Sequence, residues 1–143
     1  MRKSIWLKLL ACVAMLVSVT VFAKSLAPVP EPTVYTQDKP VAMVTSAQPE
    51  FVIKLKSNPT TGYTWFLRGY NSELLQPVAH MVQAPDSKLV GAPGFELWTF
   101  KAKPAAFVVP QQTTIRLVYS RPWEASETAT QLMFKVTTVV AGK

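Results

Sequence analysis

Glu50-Phe51-Val52-Ile53-Lys54-Leu55-Lys56-Ser57-Asn58-Pro59-Thr60-Thr61-Gly62-Tyr63-Thr64-Trp65-Phe66-Leu67-Arg68 reads as one strand, a stiff turn and a second strand. Phe51, Ile53 and Leu55 alternate with Val52, Lys54 and Lys56, the two-residue period of a half-buried strand. The run from Tyr63 to Arg68 is rich in aromatics, which also favours strand. Between them, a plain hairpin would need only two turn residues of the Asn-Gly or Gly-Xaa kind. Pro59 instead fixes its own φ and pushes Asn58 toward extended backbone. Thr60 and Thr61 are β-branched and have few χ1 states. Gly62 marks a place where the chain needs positive φ or a close backbone approach. The expected product is a rigid knuckle with two hydroxyls near its tip and little entropy left to lose on binding.

Working outward, the same strand-and-turn grammar continues. Val41 to Thr45 is the first plausible strand of the body, turned by Ser46 to Pro49. After the knuckle and its second strand, Gly69 to Ser72 breaks the chain, and Ser72 to Gln76 suits a short helical turn. Val78 to Gln83 is a weaker strand, followed by a long loop from Ala84 to Gly94 with Pro85, Gly91, Pro93 and Gly94. Phe95 to Lys103 alternates Phe95, Leu97 and Thr99 with Glu96, Trp98 and Phe100. Thr113 to Ser120 places Ile115, Leu117 and Tyr119 on one face, and Thr130 to Val140 does the same for Leu132, Phe134, Val136 and Val140. About seven short strands with turn residues between them, and no amphipathic helix, predict an all-β fold: an immunoglobulin-like antiparallel β-sandwich without a disulfide.

If successive strands run up and down, the second, fourth and sixth connections fall at one end. These are the Asn58 knuckle, Ala84 to Gly94, and Arg121 to Ala129, and they are also the chemically conspicuous loops. The sixth opens with Arg121-Pro122-Trp123-Glu124, and Arg and Trp are the side chains most often found as interface hot spots. Ala105 to Val109 threatens this count, because as an extra strand it would reverse the parity.

Residues 1–23 read as a secretory signal: Arg2, Lys3 and Lys8 are its basic end, Leu9 to Phe22 its apolar run, and Val21-Phe22-Ala23 its small-residue close. Residues 24–40, with Pro28, Pro30, Pro32 and Pro40, form an extended leader that is either flexible or laid along the domain as an edge segment. Residues 41–143 are then the folded domain, exported to the periplasm or secreted, with no membrane attachment after cleavage. Cys12 is the single cysteine and belongs to the signal, so the mature chain has neither a disulfide, a thiol nucleophile nor a thiolate metal site. Three of the fifteen basic residues leave with the signal and all eight acidic ones stay; twelve against eight is a net charge of +4, compared with +7 for the whole chain. No Lys/Arg cluster accompanies that charge, so nucleic acid is not expected as a partner.

In this order and spacing, Asn58-Pro59-Thr60-Thr61-Gly62-Tyr63, then Gly91-Ala92-Pro93-Gly94, then Arg121-Pro122-Trp123 resemble the motifs of the chagasin-like family of cysteine protease inhibitors. The resemblance runs from about Val41 to Val140. It implies an immunoglobulin-type sandwich that inhibits papain-like (clan CA) cysteine proteases, expected as a monomer. With no thiol in the mature chain the inhibition is expected to be reversible and competitive, and nothing in the sequence suggests a metal or an organic cofactor. The resemblance also implies that Asn58 to Gly62 fill the centre of the protease cleft over the catalytic cysteine. Gly91 to Gly94 and Arg121 to Trp123 would lie on either side, with Trp123 on aromatic surface of the primed side. Pro93 departs from the family pattern, which commonly has glycine there, and proline brings no N–H to that loop.

Two other function classes meet weaker signals. An enzyme would need His80, the single histidine, to have partners, and a structural or surface role fits it better. Asp86, Glu96, Glu124 and Glu127 show no paired spacing for acid–base work and read as solvated charge. A secreted sandwich for adhesion or carbohydrate binding would set Trp65, Trp98 and Trp123 in a row on one sheet face. The inhibitor reading sets its aromatics at one end.

Overall fold

The computed structural model describes residues 30–85, 87, 89, 91–124 and 129–141, and the expected signal (residues 1–23) lies outside them. Among the described residues the chain forms eight strands: β1 (Thr33–Thr36), β2 (Val41–Thr45), β3 (Glu50–Ser57), β4 (Thr64–Gly69), β5 (Leu75–Gln83), β6 (Gly94–Ala102), β7 (Gln111–Ser120) and β8 (Thr130–Val139). They make two four-stranded sheets, ordered β1-β3-β6-β5 and β2-β8-β7-β4. Pairing is antiparallel except at β1–β3 and β2–β8, which are parallel. This is the expected all-β, immunoglobulin-like sandwich.

The alternating residues of β3 go where their period sends them. Phe51, Ile53 and Leu55 are fully or almost fully buried, and they meet Phe100 and Ala102 of β6 and Leu75 of β5 from the same sheet. Ala42 and Val44 of β2, Ile115 and Leu117 of β7, and Phe134 and Val136 of β8 close the core from the other sheet. Phe51 stacks on Phe100 with ring centroids 5.8 Å apart. Each such side chain removed from water contributes roughly 1.5–3 kcal/mol, so this apolar layer carries the fold.

Four details differ from the strand pattern in the sequence. The eighth strand comes from the leader: β1 is an edge segment whose Tyr35 packs between Phe51 and Phe134 and donates its hydroxyl to the Met43 carbonyl at 2.6 Å. The helical turn expected at Ser72 to Gln76 shrinks to a turn closed by Leu74 and Leu75 N–H groups on the Asn71 carbonyl. Leu75 is fully buried and pairs with Ala102, so the strand begins there. Pro77 sits beside a register shift on this edge strand, a position where its missing N–H breaks no ladder. Val140 lies past the end of β8 and is exposed, while Thr138 fills the last inward position.

Ala105 to Val109 is no strand. Pro104–Phe107 is a 3₁₀ turn that buries Ala106. The up-and-down parity therefore survives, and β1 extends it without reversing it. Ser57 pairs with Gly94, Gln83 with Phe95, Thr64 with Ser120 and Tyr119 with Thr130. These registers put the β3–β4, β5–β6 and β7–β8 connections at the same end of the sandwich.

Candidate inhibitory loop cluster

The knuckle is a single 3₁₀ turn, Pro59–Thr61, closed by Thr61 N–H on the Asn58 carbonyl (3.1 Å) and Gly62 N–H on the Pro59 carbonyl (3.0 Å). Gly62 then turns the chain with φ +81, the left-handed conformation that the sequence anticipates and that disfavours a side chain. Both threonine hydroxyls fold inward. Thr60 Oγ1 donates to Asn58 Oδ1 at 2.5 Å and Thr61 Oγ1 to the Asn58 carbonyl at 2.6 Å. They stiffen the turn, and with their protons engaged there the hydroxyl oxygens can only accept further hydrogen bonds.

Asn58 is the hub. Its N–H donates to the Tyr119 hydroxyl of β7 at 2.9 Å, and its Nδ2 reaches the Gly91 carbonyl at 3.3 Å. The knuckle is thereby tied to the opposite sheet and to the second loop. In that loop Gly91 also has φ +81, and Ala92 N–H closes a turn on the Leu89 carbonyl. Gly94 is required for a different reason: a Cβ there would stand 2.4 Å from the Gln83 carbonyl oxygen, so β5 and β6 could not pair as they do. Pro93 is exposed between them.

In the third loop Arg121 Nε donates to the Thr61 carbonyl at 3.0 Å, one of its terminal nitrogens to Glu124 Oε1 at 3.0 Å, and its guanidinium lies 4.6 Å from the Tyr63 ring centre. Arg121 therefore acts as a brace. Trp123 is the free member of the motif: 74% exposed, with its ring edge over Gly62. Pro122 separates the two side chains, so one grips the knuckle while the other stays exposed. Beneath, Tyr63, Tyr119 and Trp65 form an aromatic ladder with centroids 5.3 and 5.0 Å apart.

The structure thus brings Asn58, Pro59, Thr60, Thr61, Gly62 and Tyr63 together with the Gly91–Gly94 and Arg121–Trp123 loops. Residues 45–138 match the model of the chagasin family peptidase inhibitor, I42, over well more than half of the chain. The chain belongs to the chagasin family.

Family membership makes this protein a peptidase inhibitor, not an enzyme. It is 38% identical over 87 residues to chagasin of Trypanosoma cruzi, an alignment covering 57% of this chain and 74% of that one. Two solved structures share the fold. The cysteine protease inhibitor EhICP2 of Entamoeba histolytica is 22% identical, with a TM-score of 0.50, over 78% of this chain and 100% of its own. Amebosin is 21% identical, with a TM-score of 0.55, over 78% of this chain and 99% of its own.

One residue at this end was misread from sequence. Glu96 is not solvated charge: it is fully buried under the loops. Its carboxylate accepts from Ser57 Oγ (2.5 Å), Thr64 Oγ1 (3.0 Å) and the Trp65 N–H (3.2 Å), and lies 2.8 Å from His80 Nε2. Parity puts Glu96 on the side of β6 that carries Phe100 and Ala102, but Phe95 and Leu97 make the other side apolar as well, so the pattern alone gave no signal of its burial. Glu124 is half-exposed and paired with Arg121, as surface charge would be. Asp86 and Glu127 lie outside the described residues. His80 is one-third exposed, stacked on Trp98 at 4.1 Å, and has the structural place expected of it.

Proposed function

We propose that this chagasin-family chain is exported and acts as a monomer, inhibiting papain-like (clan CA) cysteine proteases reversibly and competitively. Asn58 to Gly62 enter the active-site cleft, with Gly91 to Gly94 and Arg121 to Trp123 flanking them. The observation that carries this reading is Trp123: a large aromatic, 74% exposed, beside a knuckle already held by Arg121, Tyr119 and its own threonines. A braced loop loses little entropy on docking, so more of the contact energy appears as affinity. The turn also presents its carbonyls and hydroxyls in a 3₁₀ conformation, not as the extended strand a protease cleaves, and the mature chain brings no thiol to form a covalent trap.

Adhesion or carbohydrate binding is less well supported. Trp65 is only 6% exposed and Trp98 is covered by His80, so a row of exposed tryptophans on a sheet face is missing among the described residues. The deciding experiment titrates active papain with the purified protein and follows hydrolysis of a small fluorogenic substrate, with trypsin as control. Competitive inhibition of papain alone is expected. Trp123→Ala should weaken it by about 30-fold or more, the loss of a hot-spot aromatic, while leaving the melting temperature nearly unchanged. A folded protein that spares papain and its relatives at micromolar concentration refutes the reading.

A further inference from the structure

The knuckle joins β3 of one sheet to β4 of the other, so its two feet, Ser57 and Thr64, stand in different layers of the sandwich. The distance between layers at this end therefore sets the span that residues 58–63 must bridge. Backbone pairing cannot fix that distance, because no ladder crosses between the sheets. Side chains do cross, and one of them grips both feet.

We infer that Glu96 is a positioning residue for inhibition: its buried carboxylate, closed off by His80, holds both feet of the knuckle and sets the geometry that meets the protease. This rests on the inhibitor reading above. Glu96 belongs to β6, next to β3. Its Oε1 accepts the hydroxyl of Ser57, the last residue of β3, at 2.5 Å. Both its oxygens lie 3.0 Å from Thr64 Oγ1 and 3.2 Å from the Trp65 N–H, the first two residues of β4. A single group thus binds the residue before the knuckle and those just after it.

The remaining acceptor capacity of Oε2 is taken by His80 Nε2 of β5 at 2.8 Å, and the imidazole is itself pinned against Trp98. Glu96 is 0% exposed and Ser57 2%, so water does not substitute for these partners. A carboxylate is suited to this position because it accepts on both oxygens and donates nothing, and every group aimed at it from the two feet is a donor. A second cross-layer tie, Trp65 Nε1 to the Lys56 carbonyl at 2.9 Å, lies beside it and keeps the layers in contact if the carboxylate is removed.

The test compares Glu96→Leu, which keeps bulk and removes the acceptors, with Glu96→Gln. The glutamine oxygen can still receive Ser57 and the Trp65 N–H, and its amide can donate to the Thr64 hydroxyl oxygen and, once the imidazole adopts the other tautomer, to His80. Val136→Ala, a core truncation on the far half of β8, serves as a control for lost stability. Two quantities are read: the papain inhibition constant, and hydrogen exchange at the Thr61 and Gly62 amides, which close the 3₁₀ turn. Misplacing a preorganised loop by a fraction of an ångström should raise the inhibition constant of Glu96→Leu roughly 30-fold or more, with faster exchange at both amides. Glu96→Gln should stay within about fivefold of the parent, and Val136→Ala within about twofold despite a comparable fall in melting temperature.

If Glu96→Leu does not fold, Thr64→Val removes one donor from one foot and should give about a tenfold loss with the same exchange signature. Parent-like inhibition and exchange in a folded Glu96→Leu or Thr64→Val overturns the inference. So does an equal loss in Val136→Ala, or a Gln variant no better than Leu. If the parent protein spares papain, the inhibitor reading falls separately. The exchange rates then decide alone whether Glu96 holds the knuckle.

Discussion

Gly62 and Gly91 share the same backbone conformation, φ +81, but not the same surroundings. A Cβ built at Gly62 would lie 3.2 Å from Cη2 of Trp123 and 3.9 Å from Cγ of Arg121, whereas at Gly91 it would meet nothing within 4 Å among the described residues. Alanine at either site incurs the left-handed penalty of about 1–2 kcal/mol. With an unfolding entropy of about 2.1 cal/mol/K per residue over roughly 110 ordered residues, that is a fall of about 4–9 °C in melting temperature for each variant. Only Gly62→Ala also forces a neighbour to yield, because ordinary carbon contacts begin near ~3.5 Å. Trp123 is exposed and gives way, by a few tenths of an ångström. The Trp123 indole resonance should therefore shift in Gly62→Ala and stay in place in Gly91→Ala. Papain inhibition by Gly62→Ala should weaken about tenfold, part of what a whole hot-spot tryptophan contributes. Thermal melts and a proton–nitrogen spectrum of both variants make the comparison. Equal indole shifts in the two, or no loss of stability in either, would refute the reasoning from this contact and this dihedral.

Two more outcomes follow from the same cluster. Tyr119→Phe deletes the acceptor of the Asn58 N–H; it should cost about 1–2 kcal/mol, seen as a fall of several degrees in the melting temperature, together with a raised inhibition constant. Arg121→Lys keeps the charge but loses the fork that reaches Thr61 and Glu124 at once, so inhibition should weaken about 3–10-fold with a melting temperature within about 2 °C of the parent. A lysine variant that inhibits as well as the parent would mean that charge alone suffices at this position.

Periodicity and turn chemistry are local properties, and what depends on them was legible before any coordinates. The alternation in β3, β7 and β8 named half of the core. Proline before two β-branched residues, and glycine after them, described the stiff turn with its positive φ at Gly62. Up-and-down parity then grouped the three marked loops, with no knowledge of any contact between them. The leader was harder: Thr33 to Thr36 lies among prolines and pairs in parallel, and nothing local distinguishes an edge strand from an extended tail. What decides it is Tyr35, whose ring finds Phe51 and Phe134 from two other strands.

Glu96 and Arg121 mark the boundary most clearly. β6 carries apolar residues on both sides, Phe95 and Leu97 as well as Trp98 and Phe100, so its own pattern does not say which side is inward. Only packing against β3 and β5 turns the side of Phe100 to the core and takes Glu96 with it. Its burial is tolerable because Ser57, Thr64, Trp65 and His80, far apart in sequence, converge there with donors. Arg121 and Trp123 likewise look like equal hot-spot candidates in sequence, until Thr61, Tyr63 and Glu124 claim the arginine and leave the tryptophan free. Strand period and the stiff turn with its positive φ are determined by the sequence alone, because each depends on residues a few positions apart; loop parity needed the fold to show that Ala105 to Val109 is no strand. The inward face of β6, the buried carboxylate and the division of labour between Arg121 and Trp123 are decided by tertiary structure, because each depends on partners that only the folded sandwich brings together.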